Sequence, residues 1–514
     1  MTLSTVGRTA TGALFALAIF WVPASAQLTS GETTPQFLSL PMHPRPQADG
    51  NGAEDDYNAN GIYRRGSHFI WHAPLVNGQP PGQTLNSPSP TGSAAPVAAA
   101  PSNGLFISGL YPVAVSTSAT GPYHGETAAA SVPGLLVAGS NRIYPGSCST
   151  DPCGVVAYES ADGGATWTER PIGMSWNGAR FGITFDPALA TDTAGNIYYV
   201  LGGAPLSGNY PNSIAVARRD AGTGAWSTPV AVTFNANKYF DDKYWIAVDR
   251  SSAAFAGRVY VVWDRNTSTN QILYLSSSSD GGATWTAPIK IDDGRSKFER
   301  VIGAYVTVGD SGRVYVSWHN YAKGIIYVDR SANGGVSWGA DVAAASTNTG
   351  FGMDIGCNGG RKQSPAHHLI AGPSGTLHLV YANNVAGRGY DVLYKRSTDG
   401  GSTWSAAVRL NDDAGAAHQY HPTLSVDGIR VTVSFYDRRD DPANCLTHVY
   451  STRSLDDGVR WSINARVTSA PSNFDGNSNG PGDYSSSTPS SGGDWGFFAD
   501  HTTSTFQIVG SVLP

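Results

Sequence analysis

The octapeptide SADGGATW, residues 160–167, recurs along this chain of 514 residues. Two further copies are nearly identical to it, one is close and two have diverged. In chain order the five copies are RDAGTGAW (219–226), SSDGGATW (278–285), SANGGVSW (331–338), STDGGSTW (397–404) and SLDDGVRW (454–461). The Trp residues that end consecutive copies lie 53 to 66 residues apart, so one structural repeat spans about 50 to 65 residues.

Each copy has the composition of a tight β-hairpin turn. Asp-Gly and Gly-Gly supply the positions with positive φ that such turns require. The Asp carboxylate and the Ser and Thr hydroxyls can accept backbone N–H groups of the turn, and the Trp can pack the hairpin against its neighbours. We call this octapeptide the hairpin motif and expect its role to be structural.

A second repeated element precedes the hairpin motif and consists of two alternating strands joined by a turn that contains Gly. Its copies are residues 127–139 (a loose match), 188–200, 246–263, 305–318, 369–381 and 424–436. Each repeat therefore holds two hairpins, or four strands. Six such units predict an all-β fold, a six-bladed β-propeller with four-stranded antiparallel blades.

The residues outside the repeats predict how the chain is organised. Arg8, an apolar stretch at 13–22 and Ala-Ser-Ala at 24–26 predict a signal peptide over 1–26, cleaved near Ala26, and thus a secreted or periplasmic protein. The apolar stretch is too short to span a bilayer, so no membrane anchor is expected. Residues 27–118, rich in Pro, Ser, Gly and Ala, predict a partly ordered leader, and 119–514 the propeller. We expect the last strand, 506–510, to close the ring.

Charge and composition limit the partners. The net charge is −6, only 14% of residues are charged, and no run of Lys and Arg occurs, which excludes nucleic acid as an expected partner. No CxxC or HExxH spacing is present, so we expect no transition metal and no cofactor. We also expect the protein to be a monomer. Asp241, Asp242 or Asp440 could bind a structural calcium ion, although no EF-hand spacing supports this.

The four cysteines are too few for a disulfide scaffold in so long a chain. Cys148 and Cys153 could pin one loop, whereas Cys357 and Cys445 could pair or stay free.

The hairpin motif resembles the Asp box of sialidases and of other secreted propellers that act on glycans. The resemblance covers about 123–514. It implies a carbohydrate substrate or ligand, bound on the face formed by the loops between strands two and three and by the connections between blades. Because similar motifs occur in glycosidases, lyases and non-enzymatic propellers, three functions stay open. They are an exo-acting glycoside hydrolase, a propeller that binds a glycan or protein without catalysis, and a polysaccharide lyase.

Polar residues are concentrated on that face. A glycosidase needs two carboxyl groups beside the scissile bond, and an acidic sugar needs Arg side chains that bind its oxygens. The predicted catalytic carboxylates are Asp151, Asp242, Asp264 and Asp437. The predicted substrate-binding residues are Arg142, Arg265, His319, Tyr436, Arg438 and Arg439. Neighbouring Asp and Arg residues also pair with each other to hold loops, and this alternative stays open for each of them.

The resemblance to sialidases is incomplete in the first blade. RIYP (142–145) looks like the Arg-Ile-Pro motif of the family, but it follows the second strand, and YHGE (123–126) stands in the motif's place without an Arg. The resemblance implies a further substrate contact for Arg142 and an acid/base role for Asp151, 11 residues before Asp162. Tyr436 or Tyr390 is a conceivable nucleophile without an evident Glu partner. A sialidase is therefore one option among several.

Overall fold

The structure is a computed structural model. It describes residues 62–65, 68–71, 105–106, 112–116, 123–143, 154–204, 212–235, 239–267, 270–294, 300–350, 352–357, 362–475, 480–502 and 506–514. These residues belong to one compact unit, Ala53–Pro514. The predicted signal peptide (1–26), Cys148, Asp151 and Cys153 lie outside the described residues. Within the described ranges, no helix is long and apolar enough to span a lipid bilayer.

Most strands form four-stranded antiparallel blades, as predicted. Four short strands come first: β1 Ile62–Arg65 and β2 His68–Trp71, which pair with each other, then β3 Leu105–Phe106 and β4 Val113–Ala114. Blade 1 is β5 Tyr123–Val132, β6 Leu135–Ile143, β7 Gly154–Ser160 and β8 Thr168–Pro171, and a small hairpin follows it, β9 Ser175–Trp176 and β10 Ala179–Arg180. Blade 2 is β11 Ile183–Thr191, β12 Ile197–Ala204, β13 Ser213–Arg219 and β14 Val230–Ala231. Blade 3 is β15 Phe240–Val248, β16 Val259–Asn266, β17 Gln271–Ser278 and β18 Ile289–Lys290.

The remaining blades repeat this order. Blade 4 is β19 Val301–Val308, β20 Val314–Asn320, β21 Ile325–Ser331 and β22 Val342–Ser346. Blade 5 is β23 His367–Ala371, β24 Leu377–Val385, β25 Gly389–Ser397 and β26 Val408–Arg409. Blade 6 is β27 Gln419–Asp427, β28 Arg430–Asp437, β29 His448–Ser454 and β30 Ala465–Arg466, with β3 added in parallel at its edge. Blade 7 is β31 Ser486–Ser490, β32 Gly493–Asp500 and β33 Gln507–Val512, completed by β4.

The propeller therefore has seven blades, and the prediction of six was wrong. The hairpin motif forms the turn between strands three and four of a blade. In blade 7 the fourth strand is β4, which comes from the predicted leader, so no such turn exists and no motif marks this blade. The predicted closing strand at 506–510 overlaps β33, the third strand of blade 7, and β4 pairs antiparallel with β33.

Hydrogen bonds within the hairpin motif explain why its residues recur. In the first copy, Gly164 N donates to Ser160 Oγ at 2.8 Å, and Thr166 N donates to Asp162 Oδ1 at 2.9 Å. Gly163 and Gly164 have φ of 71° and 94°, which a side chain would strain. The turn is thus satisfied by its own side chains, as the sequence predicted.

The apolar core lies in layers between neighbouring blades. One layer joins blades 2 and 3 and contains Phe185 and Trp263, and another joins blades 7 and 1 and contains Phe497 and Tyr158. The first strands of the seven blades contact one another in a closed cycle, with β31 against β5. These strands therefore form an inner ring around the axis of the propeller.

Candidate functional site

Five strands of the inner ring bulge at one position, and each bulged residue has positive φ. The bulges interrupt β5, β11, β15, β19 and β27 after their first few residues. The residues are Glu126 (φ 54°), Asp186 (52°), Lys243 (41°), Gly303 (69°) and His421 (46°). A left-handed conformation costs a residue other than Gly about 1 to 3 kcal/mol, and such strain is concentrated at functional sites. The end of the inner ring at which these strands begin and bulge is therefore the candidate site.

Lys243 joins three blades at this site. Its Nζ lies 2.8 Å from Asp186 Oδ2 of blade 2 and 2.9 Å from Asp483 Oδ2, which precedes blade 7. Asp242 Oδ1 lies 3.9 Å from the same nitrogen. Burial opposes the charged form of Lys243, but these carboxylates hold its pKa well above its ordinary value. The lysine is thus a buried cation among acids.

Glu126 extends this group of charges into blade 1. Asn141 Nδ2 donates to Glu126 Oε2, and Asn141 Oδ1 accepts a hydrogen bond of 2.9 Å from Asp186 N. Burial, followed by the negative charge of Asp186, raises the pKa of Glu126 well above its ordinary value. Burial and the charge of Asp186 therefore favour the neutral form of Glu126.

Asp242 and Asp264, two of the predicted catalytic residues, lie together. They are directly opposite each other on β15 and β16, the last pair before the bulge. Both are buried. Burial and the charge of Asp242 raise the pKa of Asp264 well above its ordinary value, and Asp264 Oδ1 has no hydrogen-bond partner among the described residues. We call Glu126, Asp186, Asp242, Lys243, Asp264 and Asp483 the axial cluster.

An aromatic group lies beside the axial cluster and contains residues of blades 3, 4, 5 and 7. The ring of Trp245 lies 4.5 Å from that of Tyr305, 5.5 Å from His368 and 5.9 Å from Tyr484. Tyr484 directly follows Asp483, and its hydroxyl donates to the carbonyl of Pro187, the residue after Asp186, at 3.1 Å, so this ring lies next to the acids. Trp245 is partly exposed. An aromatic wall with a few convergent polar groups is typical of a ligand site.

Two of the predicted substrate-binding arginines, Arg265 and Arg439, bind neighbouring acids of the protein. Arg265 donates to both oxygens of Asp241, at 2.6 and 2.9 Å. Arg439 lies 2.7 Å from Asp437 Oδ2 and also binds Asp412. Asp437, the third described catalytic candidate, thus has both oxygens occupied, since Oδ1 accepts Arg439 N at 2.8 Å. The structure does not bring it to the axial cluster.

The other predicted binding residues are also buried in internal contacts. Arg142 forms an ion pair with Glu169. Arg438 donates to the carbonyl of Ile355 at 2.7 Å, and Tyr436 donates to the carbonyl of Ala499 at 2.9 Å. His319 contacts Thr347 Oγ1 at 2.8 Å, and burial lowers its pKa to about 4, so its ring is neutral.

A disulfide joins Cys357 to Cys445. It links the segment before blade 5 to the loop after β28. Arg438 supports the same junction, because it donates to Ile355 O in one segment and, at 2.8 Å, to Asn444 O in the other. The pairing that the sequence left open is therefore present.

No group of three or more His, Cys, Asp or Glu side chains in the described part of the chain is arranged to hold a metal ion. Of the acids named for calcium, Asp241 binds Arg265, and Asp440 accepts a hydrogen bond from the Tyr450 hydroxyl at 2.6 Å.

Sequence reasoning did not select Glu126, Asp186, Lys243 and Asp483 as site residues. Glu126, Asp186 and Lys243 are charged residues that occupy the same position in the first strands of blades 1, 2 and 3. Alignment of the repeats in the sequence shows this shared position. Asp483 has no such signal, since blade 7 lacks the hairpin motif that would align it.

Comparison with known proteins leaves the function open. No protein-family model matches the chain, and no curated protein matches it. Among solved structures it is similar to a Trypanosoma rangeli sialidase in complex with sialic acid, at 12% identity over 80% of this chain and 58% of that one, with a TM-score of 0.43. It is also similar to the NanB sialidase of Streptococcus pneumoniae (12% identity, 78% and 70% coverage, TM-score 0.41). A Dyadobacter fermentans protein of unknown function is 18% identical over 64% of this chain and 95% of that one, with a TM-score of 0.42.

Proposed function

We propose that this protein is a glycoside hydrolase that cleaves a neutral glycan at the axial cluster. Asp264 is the proton donor and Asp242 the ionised partner. The observation that carries the proposal is that these two carboxyl groups face each other at the axis in unlike environments.

Hydrolysis of a glycosidic bond needs one protonated and one ionised carboxyl group. Burial and the charge of the nearby Asp242 raise the pKa of Asp264, which favours its protonated form. The ammonium of Lys243, 3.9 Å away, and the Lys243 N–H, 2.9 Å away, stabilise the anion of Asp242. Residues directly opposite on antiparallel strands have Cβ atoms about 5 Å apart. The two side chains therefore lie on the same face of the blade, as a pair of carboxyl groups beside one scissile bond must.

The charges around the cluster favour a neutral sugar over sialic acid. The axial cluster combines five carboxyl groups with one lysine, and the described arginines predicted to bind substrate have internal partners. A carboxylated sugar would meet negative charge at the axial cluster, and these four described arginines are already bound to other groups of the protein. The partly exposed Trp245 offers a flat apolar surface for a sugar ring.

The test is hydrolysis of a panel of fluorogenic aryl glycosides, including the sialoside, by the wild type, Asp264→Asn and Asp242→Asn. Asp162→Asn, an exposed carboxylate in a hairpin motif, is the control. We expect release from one neutral glycoside, with kcat falling about 10²- to 10⁴-fold in both axial variants and unchanged in the control. The loss in Asp264→Asn should shrink as the leaving group becomes more acidic, because such a group needs no proton. Absence of release from the folded wild type on every glycoside would overturn the proposal.

A propeller that binds a glycan without catalysis is the second candidate. The burial of the axial acids favours it, since Asp242 and Asp264 are 3% and 1% exposed. In that case a glycan that binds the protein would be recovered uncleaved, and Asp264→Asn would change affinity alone.

A polysaccharide lyase is the third candidate. His367 and His368 lie near the axis as imidazoles, but burial lowers the pKa of His367 well below its ordinary value and that of His368 to about 3, so both are neutral and weakly basic. An unsaturated, ultraviolet-absorbing product from a uronate-containing glycan would identify this activity. In each case we propose a secreted or periplasmic protein, which the signal peptide expected at 1–26 supports, and we propose that it is a monomer.

A further inference from the structure

Two acids of blade 4 and one of blade 3 lie along the seam between these blades, and only the two of blade 4 are candidates to share a ligand. Asp293 follows β18, while Asp329 lies in β21 and Asp341 directly precedes β22. Asp293 N donates to Asp341 Oδ2 at 3.0 Å, and Asp341 N donates to Asp293 Oδ2 at 3.1 Å. These reciprocal bonds tie the two blades together and orient both carboxylates.

Asp329 and Asp341 face each other across blade 4. The ladder between β21 and β22 ends at the pair Val328 and Val342, and one further step in the same register sets Asp329 opposite Asp341. Opposite residues lie on one face with Cβ atoms about 5 Å apart, and like charges at such positions repel. Something must offset this repulsion.

Each of these carboxylates has one oxygen bonded to backbone and one without a partner. Asp329 Oδ1 accepts Arg330 N at 2.6 Å, and Asp341 Oδ2 accepts Asp293 N. Asp329 Oδ2 and Asp341 Oδ1 are buried atoms with no hydrogen-bond partner among the described residues, and Asp329 is only 1% exposed. Two cations of blades 3 and 4 have other partners, since Arg330 NH1 donates to Gly400 O at 2.6 Å and Lys290 lies 3.2 Å from Asp292.

The seam between blades 5 and 6 has the same reciprocal bonds with an amide in place of one carboxylate. There Asp412 N and Asn464 N make the same reciprocal bonds, at 3.0 and 2.8 Å, so Asn464 stands where blade 4 has Asp341. Asn464 Nδ2 donates to Leu410 O at 2.9 Å, and the equivalent carbonyl in blade 3 belongs to Ile291. The amide supplies a donor at this point, whereas Asp341 presents another oxygen.

We infer that Asp329 Oδ2 and Asp341 Oδ1 bind a hard divalent cation, Ca²⁺, at the seam between blades 3 and 4. Ca²⁺ accepts carboxylate, carbonyl and water oxygens in flexible geometry. Two carboxylates, the Ile291 carbonyl and water supply such a set, and the ion replaces the donor that Asn464 provides in the other seam. The ion links the outer strands of two blades, so its effect is on stability and is independent of any activity at the axis.

The test is thermal unfolding of the full chain at about pH 8 in Ca²⁺ and in EDTA, with calorimetric titration of CaCl₂. We expect the wild type to melt several degrees higher in Ca²⁺, and D329N and D341N to lose this rise. Asp427→Asn, which removes an exposed carboxylate of blade 6, is the control and should keep the rise in melting temperature. In EDTA both seam variants should melt above the wild type, because the repulsion between the two acids is gone.

Equal melting temperatures of the wild type in Ca²⁺ and EDTA would overturn the inference and leave a proton as the occupant of the acid pair. A Ca²⁺-dependent rise that persists in D341N would also overturn it, since the ion would then bind elsewhere.

Discussion

The ammonium of Lys243 lies 2.8 Å from the carboxylate of Asp186, and both residues occupy the bulged, left-handed position of neighbouring inner strands. The two residues that adopt the strained conformation thus form one buried ion pair, and this pair joins blades 2 and 3. Two further blades are connected to this pair, because Lys243 also binds Asp483 before blade 7 and because Asn141 of blade 1 donates to Glu126 and accepts from Asp186.

Lys243→Met should lower the free energy of unfolding by about 3 to 5 kcal/mol, since it leaves buried carboxylates without their cation. The deficit should be smaller at about pH 5 than at about pH 8, because the carboxylates can then take up protons. Urea unfolding at both pH values measures this. Arg460→Met, which removes an 88% exposed side chain, is the control and should change stability by less than about 1 kcal/mol. Equal losses in the two variants would contradict a central role for Lys243.

Val115→Asp should open blade 7. Val115 is fully buried against Phe497 and Ile508, and its N–H donates to Ile508 O at 2.9 Å, so it anchors the segment that supplies the closing strand β4. A buried unpaired charge there should cost about 3 to 5 kcal/mol in urea unfolding. The adjacent exposed residue gives a matched control, and Ala114→Asp should change stability by less than about 0.5 kcal/mol. A small effect of Val115→Asp would mean that the ring closes without this segment.

The hairpin motifs should make the protein sensitive to acid. Hydrogen bonds from the Thr284 hydroxyl and N–H lower the pKa of Asp280 to about 2, below its ordinary value of 3.8. A carboxylate with a lowered pKa stabilises the fold above its unfolded pKa, and this contribution is lost as pH falls from about 4 towards 2. Titration of the Asp carboxyl carbons by NMR should show the value directly.

Asp280→Asn tests the same turn. In the fourth copy Asn333 Oδ1 accepts Ser337 N at 2.9 Å, so an amide can replace the carboxylate. The variant should therefore fold at neutral pH and lose less stability on acidification than the wild type. A variant that unfolds at neutral pH would show that the negative charge itself holds the turn.

Much of each blade was predictable because its determinants are local. The hairpin motif satisfies its own hydrogen bonds within eight residues, and the two alternating strands before it pair as neighbours in sequence. The number of blades was not predictable from the motif. The fourth strand of blade 7 is β4, which lies about 400 residues earlier in the chain than β33. Blade 7 therefore has no turn between its third and fourth strands, and no hairpin motif indicates it in the sequence.

The candidate site was predictable only in part. Asp242 and Asp264 were selected because both lie where strands of one blade meet the expected face, and the structure places them opposite each other. Their neighbours Asp186, Glu126 and Asp483 come from three other blades, and no pattern within one repeat indicates that they converge.

By itself the sequence determined the repeat, its four-stranded unit and the chemistry of its turns, because hairpin turns and alternating strands depend on residues close together in the chain. The tertiary structure alone decided the count of seven blades, the disulfide between Cys357 and Cys445, and the group of acids around Lys243. These depend on how the blades pack around the axis, which brings residues such as Glu126 and Asp483 together across more than 350 positions of the chain.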